Sequence, residues 1–185
     1  MNRASLLEKD WRWSTRLRLR QDKGLFHWLA AFFAHSGDSW FWVAGLGGVW
    51  LISNGQWHHT AAIMEFAIVL LAVIVLSIKL LVRRRRPEGE WGAIYRSFDP
   101  HSFPSGHAAR AIMLAVLAWG LGPTWFAVLL VIWAPCVSLA RVLMGVHYLT
   151  DIIAGIAIGL VVGLFILATQ TTLVNLLPFL FQKFI

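Results

Sequence analysis

His147 is followed four residues later by Asp151, in the stretch Arg141-Val-Leu-Met-Gly-Val-His147-Tyr-Leu-Thr-Asp151. If this stretch is helical, imidazole and carboxylate share a face. A carboxylate beside an imidazole fixes its tautomer and favours its cationic form, as a nucleophilic or basic histidine requires. A purely structural His-Asp bond would use the same spacing, so the other polar clusters must decide. Lys79 and Arg86 stand seven apart before Pro87, which helps to end a helix, and a continuous helix would place both cations on one face. Arg83, Arg84 and Arg85 read as a basic anchor at a membrane edge. Lys79 lies one turn deeper and needs an anion or water. The third cluster is His101-Ser-Phe-Pro-Ser-Gly-His-Ala-Ala-Arg110. Ser102 or Ser105 can cap a helix starting near residue 104, with Pro104 in its first turn. Amides at such a terminus, with Gly106 allowing close approach, form an anion site. Capping does not explain His107, whereas His101 reads as structural. Together Lys79, Arg86 and Arg141, the helix-end amides and two histidines supply charge neutralisation, a nucleophile and an acid for a leaving group. Those are the needs of in-line phosphoryl transfer.

The elements that must position these groups are membrane helices. Of 185 residues, 58% are hydrophobic and only 14% charged, eleven are Trp, and mean hydropathy is +0.68. Such a composition is wrong for a soluble domain. Long apolar runs cover Thr60 to Val82, Ala108 to Leu121, Thr124 to Leu143 and Ile152 to Thr169, and a shorter one covers Trp40 to Ser53. The expected fold is therefore an all-α membrane bundle with about five transmembrane helices, or six, forming one domain over residues 1–185. Residues 1–35 form a basic interfacial segment, 60–170 the catalytic core and 173–185 an interfacial tail. Between Arg3 and Lys23, seven basic residues alternate with Leu and Trp, which suits an amphipathic helix in the headgroup layer. Leu25 to His35 is too short to cross a bilayer, and Ser36-Gly37-Asp38-Ser39 reads as a break with good N-cap residues.

The net charge of +7 is clustered, which points to anionic lipid or phosphate; no nucleic-acid-binding motif is present. The one cysteine, Cys136, lies in an apolar run and offers no disulfide or Cys-based metal site. There is no acidic or His/Cys set with metal-ligand spacing, so neither metal nor cofactor is expected. Five crossings place the N-terminus, loop 83–107 and region 141–151 on one side, with fifteen of the sixteen Lys and Arg. That bias favours the cytoplasm for this side.

The three clusters also resemble the type 2 phosphatidic acid phosphatase family, whose site is shared with vanadium haloperoxidases. Its motifs are K-x(6)-R-P, P-S-G-H and S-R-x(5)-H-x(3)-D. Here they read Lys79 to Arg86-Pro87, then Pro104-Ser105-Gly106-His107, then Arg141 to His147 and Asp151, in the same order and spacing. Ala140 replaces the serine of the third motif. The resemblance implies that His147 attacks phosphorus to form a phosphohistidine and that Asp151 orients it. His107 would protonate the leaving group and then activate water. Lys79, Arg86, Arg141, Ser105 and Gly106 would hold the phosphate, with no metal. Members often work at the extracytoplasmic face, against the charge bias, so the sequence leaves the side of the site open. The expected activity is hydrolysis of the terminal phosphate of a membrane lipid: phosphatidate, phosphatidylglycerol phosphate, a polyprenyl diphosphate or a lipid A type. The basic residues Arg83, Arg84, Arg85 and Arg96 raise the question of a diphosphate head group. Two other readings use the same pocket: phosphate transfer to a second lipid, and a lipid-binding protein without catalysis. Oligomeric state is not legible.

Overall fold

A computed structural model describes residues 3–19, 24–88 and 99–182; Arg20, Lys23, Arg96 and Lys183 lie outside them. The described residues form seven α-helices: α1 (Arg3–Leu17), α2 (Leu25–Ser36), α3 (Ser39–Ile52), α4 (Gly55–Val82), α5 (Gly106–Leu121), α6 (Thr124–Leu143) and α7 (Leu149–Leu176). A 3-10 turn, Pro178–Leu180, follows. Three helices are long and apolar enough to cross a bilayer: α4 and α7 with 28 residues each and α6 with 20. The helices α3 and α5 are shorter, at 14 and 16 residues. At about 1.5 Å per residue they rise about 21 and 24 Å, less than a hydrocarbon core of about 30 Å.

The apolar run of α5 is buried on nearly every side. Ala108, Ala109, Ala111, Met113, Leu114, Leu117 and Ala118 are all inaccessible, as expected of the central helix in a bundle. It packs along α7, where Gly155, Gly159 and Gly163 repeat every four residues and so face one way. A Cβ on Gly155 would stand 2.6 Å from the Ser105 carbonyl oxygen, and one on Gly159 would stand 2.2 Å from that of Ala109. Small residues thus let the two backbones touch, the usual device of membrane helix pairs. Membrane-type surfaces remain outside: Leu76, Leu80, Leu81, Trp119, Trp125, Ile132, Val161 and Phe165 are exposed.

The N-terminal helix α1 is tied to the bundle by its few small polar residues. Asp10 and Ser14 are buried. Ser14 Oγ accepts from Leu149 N at 2.9 Å, and Asp10 Oδ1 accepts from Thr150 N at 3.1 Å. They thereby satisfy amides that α7 leaves open at its first turn. Trp11 and Trp13 are exposed. At the other end α7 runs to Leu176, beyond the expected Thr169, and the chain turns back so that Trp50 Nε1 donates to Leu180 O at 2.7 Å.

Three local expectations fail. The helix bearing Lys79 ends at Val82, because Arg83 adopts a left-handed conformation (φ 51) and its amide closes on Lys79 O at 2.9 Å. Residues 84–87 are extended instead, with Arg85 bridged to His101, so Lys79 and Arg86 do not share a helical face. His147 precedes its helix, which starts at Leu149. Gly145, at φ +64, turns the chain, and the Val146 and His147 amides donate to Arg141 O at 3.2 and 3.3 Å. Pro104 also lies before its helix, which begins at Gly106.

Candidate active site

The three motif clusters meet at one end of the bundle. Ser105 is buried at the N-cap of α5, where its Oγ accepts from Ala108 N at 3.4 Å, and its own amide donates to Asp151 O at 3.0 Å. The second and third motifs are therefore joined through backbone. The cations Lys79, Arg86 and Arg141 are buried, and so is His147 beside them.

His147 is held on both sides of its ring. Nε2 lies 3.1 Å from Arg86 Nη1, which also donates to Val146 O at 3.0 Å. Because a guanidinium can only donate, Nε2 is an acceptor and the ring proton lies on Nδ1. Nδ1 is 3.5 Å from Asp151 Oδ2, a contact longer than an ordinary hydrogen bond. The turn thus achieves the four-residue contact that a helix was expected to give. Asp151 is fixed by Tyr148 N, which donates to Oδ2 at 2.9 Å, and by Arg84 Nη1, which donates to Oδ1 at 2.7 Å. Burial pulls the His147 pKa down to about 3, with the nearby Asp151 carboxylate opposing the fall and the Arg86 and Arg141 charges adding to it. Burial and the donor at Nε2 both favour the uncharged imidazole, whose Nε2 lone pair accepts from Arg86 Nη1.

Arg84, expected as part of a basic anchor, has its guanidinium bonded within the protein. Besides Asp151 it donates to Thr150 Oγ1 and to Asp10 Oδ2, both at 2.7 Å, and its guanidinium carbon lies 4.0 Å from the Tyr148 ring centre. It links α1 to the carboxylate behind His147. Arg83, by contrast, is exposed.

Two acidic residues were not singled out from the sequence. Asp99 Oδ2 is shared by Lys79 Nζ and by Arg86 Nη2, the latter at 2.7 Å, while Arg86 Nε donates to Asp99 O at 2.7 Å. What brings Lys79 and Arg86 together is this carboxylate rather than a helix face. Burial raises the Asp99 pKa, but the Lys79 bond and the Lys79 and Arg86 charges outweigh it, so the carboxyl stays below its usual value. Arg86 is pulled down by burial and pushed back by Asp99. Asp38 reaches His107, its Oδ1 standing 2.6 Å from Nε2. No motif marks Asp99; for Asp38 the signal was an acid between two apolar runs.

Lys79, Asp99, Gly106, His107, Arg110 and His147 face one cavity of about 460 Å³. Its remaining wall includes Leu71, Val75, Leu76 and Leu80 of α4. His147 also borders a second cavity, about 510 Å³, between α1 and the segment of residues 85–88. Arg141 backs the site from α6 and donates through Nη1 to Ala34 O at 3.3 Å. Ala140, where the family has serine, packs with Ala30, Ala34, Met144 and Val146, a contact that needs no hydroxyl.

A family model described as the PAP2 superfamily matches residues 60–174. Decaprenylphosphoryl-5-phosphoribose phosphatase of Mycobacterium tuberculosis is 34% identical over 136 residues, 70% of this chain and 72% of that protein. Lipid A 4'-phosphatase of Porphyromonas gingivalis is 38% identical over 76 residues, 36% of this chain and 28% of the other. The fold is that of the PAP2-type phosphatidylglycerolphosphate phosphatase from Bacillus subtilis, with a TM-score of 0.72 at 20% identity, covering 91% of this chain and 87% of that one. It also matches Aquifex aeolicus LpxE, with a TM-score of 0.65 at 24% identity over 80% and 88% of the two chains. The apolar helices and these relatives identify a multi-pass membrane protein. With its motifs gathered at one end of the bundle and the family match covering them, the chain belongs to the PAP2 superfamily.

Proposed function

We propose that the protein is a cell-membrane phosphatase that removes the terminal phosphate of a lipid through a phosphohistidine, and that its substrate is a polyprenyl-linked phosphate. The observation that carries this reading is the shared cavity: neutral His147, His107 and Lys79 face a space whose other wall is the apolar face of α4. A head group entering there keeps its tail in the membrane. His147 Nε2 attacks phosphorus in line, and the P–O bond to the lipid breaks as the N–P bond forms. His107 gives a proton to the departing oxygen, then takes one from the water that cleaves the phosphohistidine. Lys79, Arg86 and Arg141, with Ser105 and the Gly106 amide, hold the phosphate oxygens, and Asp151 orients His147. In this reading Asp99 yields its two cations to the incoming phosphate.

The polyprenyl preference is supported by the Mycobacterium tuberculosis relative, whose match covers most of both chains. A long tail also finds room in an apolar cavity of about 890 Å³ bordered by Trp28, Phe32, Trp42, Trp57 and Trp125, whose rim includes His35. The test is phosphate release by the purified protein in detergent from a polyprenylphosphoryl-5-phosphoribose, undecaprenyl diphosphate, phosphatidate, phosphatidylglycerol phosphate and lipid A. The first is expected to be hydrolysed fastest, with an acid-labile phosphoenzyme trapped on His147. Label passing to a second lipid without release of phosphate would instead make the protein a phosphotransferase. Lipid binding with no turnover would make it a binding protein.

A further inference from the structure

The break between α2 and α3 is held more firmly than a helix connection requires. Gly37 O accepts from Arg110 Nε at 3.1 Å and also from Arg110 Nη2. Trp133 Nε1 donates to Ser36 Oγ at 2.9 Å, and Trp42 Nε1 donates to Ser36 O at 3.1 Å. One turn earlier, Arg141 reaches Ala34 O. The backbone approaches so closely that a Cβ on Gly37 would stand 2.8 Å from Val137 Cγ1 and 3.2 Å from His107 Cδ2. Four side chains on three helices thus fix one short segment.

What the segment delivers is Asp38. It occupies the N-cap position of α3, where a carboxylate ordinarily accepts from the first amides, yet it makes no such bond. Its Oδ1 lies 2.6 Å from His107 Nε2 and its Oδ2 3.3 Å from His35 Nδ1. A capping bond is forgone in favour of a histidine 69 residues away.

We infer that Asp38 is a positioning residue for proton transfer, holding His107 as the oriented donor to the leaving group. The inference rests on the role given to His107 above. With Nε2–H directed at the carboxylate, a negative charge beside the ring stabilises the imidazolium. As the P–O bond breaks, its electron pair goes to the lipid oxygen, which takes the proton from His107 Nδ1. In the second step His107 regains a proton from water as the water oxygen bonds to phosphorus and the N–P bond breaks. Asp38 remains a carboxylate throughout and touches neither substrate nor phosphorus.

The test compares two substrates with the same tail, an alkyl phosphate and a nitrophenyl phosphate. An alkoxide must be protonated as it leaves; a nitrophenolate need not be. D38N is expected to lower kcat on the alkyl phosphate by about 10- to 100-fold, with KM little changed, and to lower it by no more than about 3-fold on the nitrophenyl phosphate. D38E should recover part of the lost rate. Equal losses on both substrates, or none, would overturn the inference. If D38N fails to fold, as judged by melting in detergent, H107Q and D38E carry the comparison: H107Q must show the same selectivity, and D38E a milder form of it. A wild-type protein inactive on every lipid phosphate would instead remove the phosphatase reading. Activity that H147A abolishes, with D38N and D38E losing equally on both substrates, removes only the role of Asp38.

Discussion

The two histidines obtain their acidic partners by opposite routes. His147 and Asp151 are four residues apart, and one turn with the first residues of α7 brings them together. His107 and Asp38 come from α5 and the α2–α3 break and meet only because several helices pack correctly. The local pair also has a backup: Arg84 and the Tyr148 amide fix Asp151 independently of His147. The remote pair depends on Arg110, Trp133 and the absence of a side chain at Gly37. In the mechanism proposed above, the nucleophile must be aligned before anything else happens, whereas the proton donor matters in proportion to how badly the leaving group needs it. The first is built from adjacent chain; the second is grafted on by packing.

The largest effect should come from the local pair. H147A is expected to lower phosphate release by at least about 1000-fold on alkyl and nitrophenyl substrates alike, in contrast to the selective loss expected for D38N; residual turnover within tenfold of wild type would remove His147 as nucleophile. R84Q should act through Asp151, costing about 10-fold in kcat with the same ratio between the two substrates. A changed ratio would show that Arg84 serves the remote pair. D99N lies between the pairs and should sharpen their separation by changing affinity alone. Because its carboxylate competes for Lys79 and Arg86 but is partly exposed, inorganic phosphate should inhibit D99N about 5-fold more tightly than wild type, measured as Ki. Weaker inhibition would mean that Asp99 assembles the cation pair instead.

The smallest effect is a pH slope. Unfolded His147 takes a proton near its ordinary 6.5, whereas the folded residue does so only near 3. Between these values the unfolded state binds more protons, so stability falls as pH is lowered. Melting temperature should therefore drop more steeply from pH 6.5 to 4.5 in wild type than in H147Q. Parallel slopes would show that the buried imidazole is not held neutral.

Much of this site is legible in the sequence where spacing is short. A capping serine at 102 or 105, of which Ser105 is the one used, and a contact between residues 147 and 151, though made by a turn and not a helix, follow from residue types and intervals. Paths of the chain were less legible. Four consecutive arginines give no sign that Arg83 turns left-handed and ends α4, so the seven-residue interval from Lys79 to Arg86 suggested a helix that does not exist there. Asp99 could not be chosen because its role depends on where residues 84–87 run once that helix has stopped. Asp38 was visible as an acid among apolar residues, but its capping position offered a sufficient local explanation, and only the packing of α2 against α6 and the bonding of the α2–α3 break to α5 displace it. Arg84 was indistinguishable by type from its neighbours and separates from them by its reach to Asp10 and Asp151.

The small-residue face of α7 bears on how the site keeps its dimensions. Where Gly155 and Gly159 meet Ser105 and Ala109, the two helices are spaced by main chain, which cannot change rotamer to absorb error. The gap between the helix that carries His107 and the one that begins behind His147 is therefore set by a hard gauge several turns long. Enlarging any rung of that gauge would act as a wedge, and the displacement would be felt at the Ser105 to Asp151 bond, where the start of α5 and the residue bearing the carboxylate beside His147 are joined. The outer faces of the bundle can vary in sequence while the distance between His107 and His147 stays fixed.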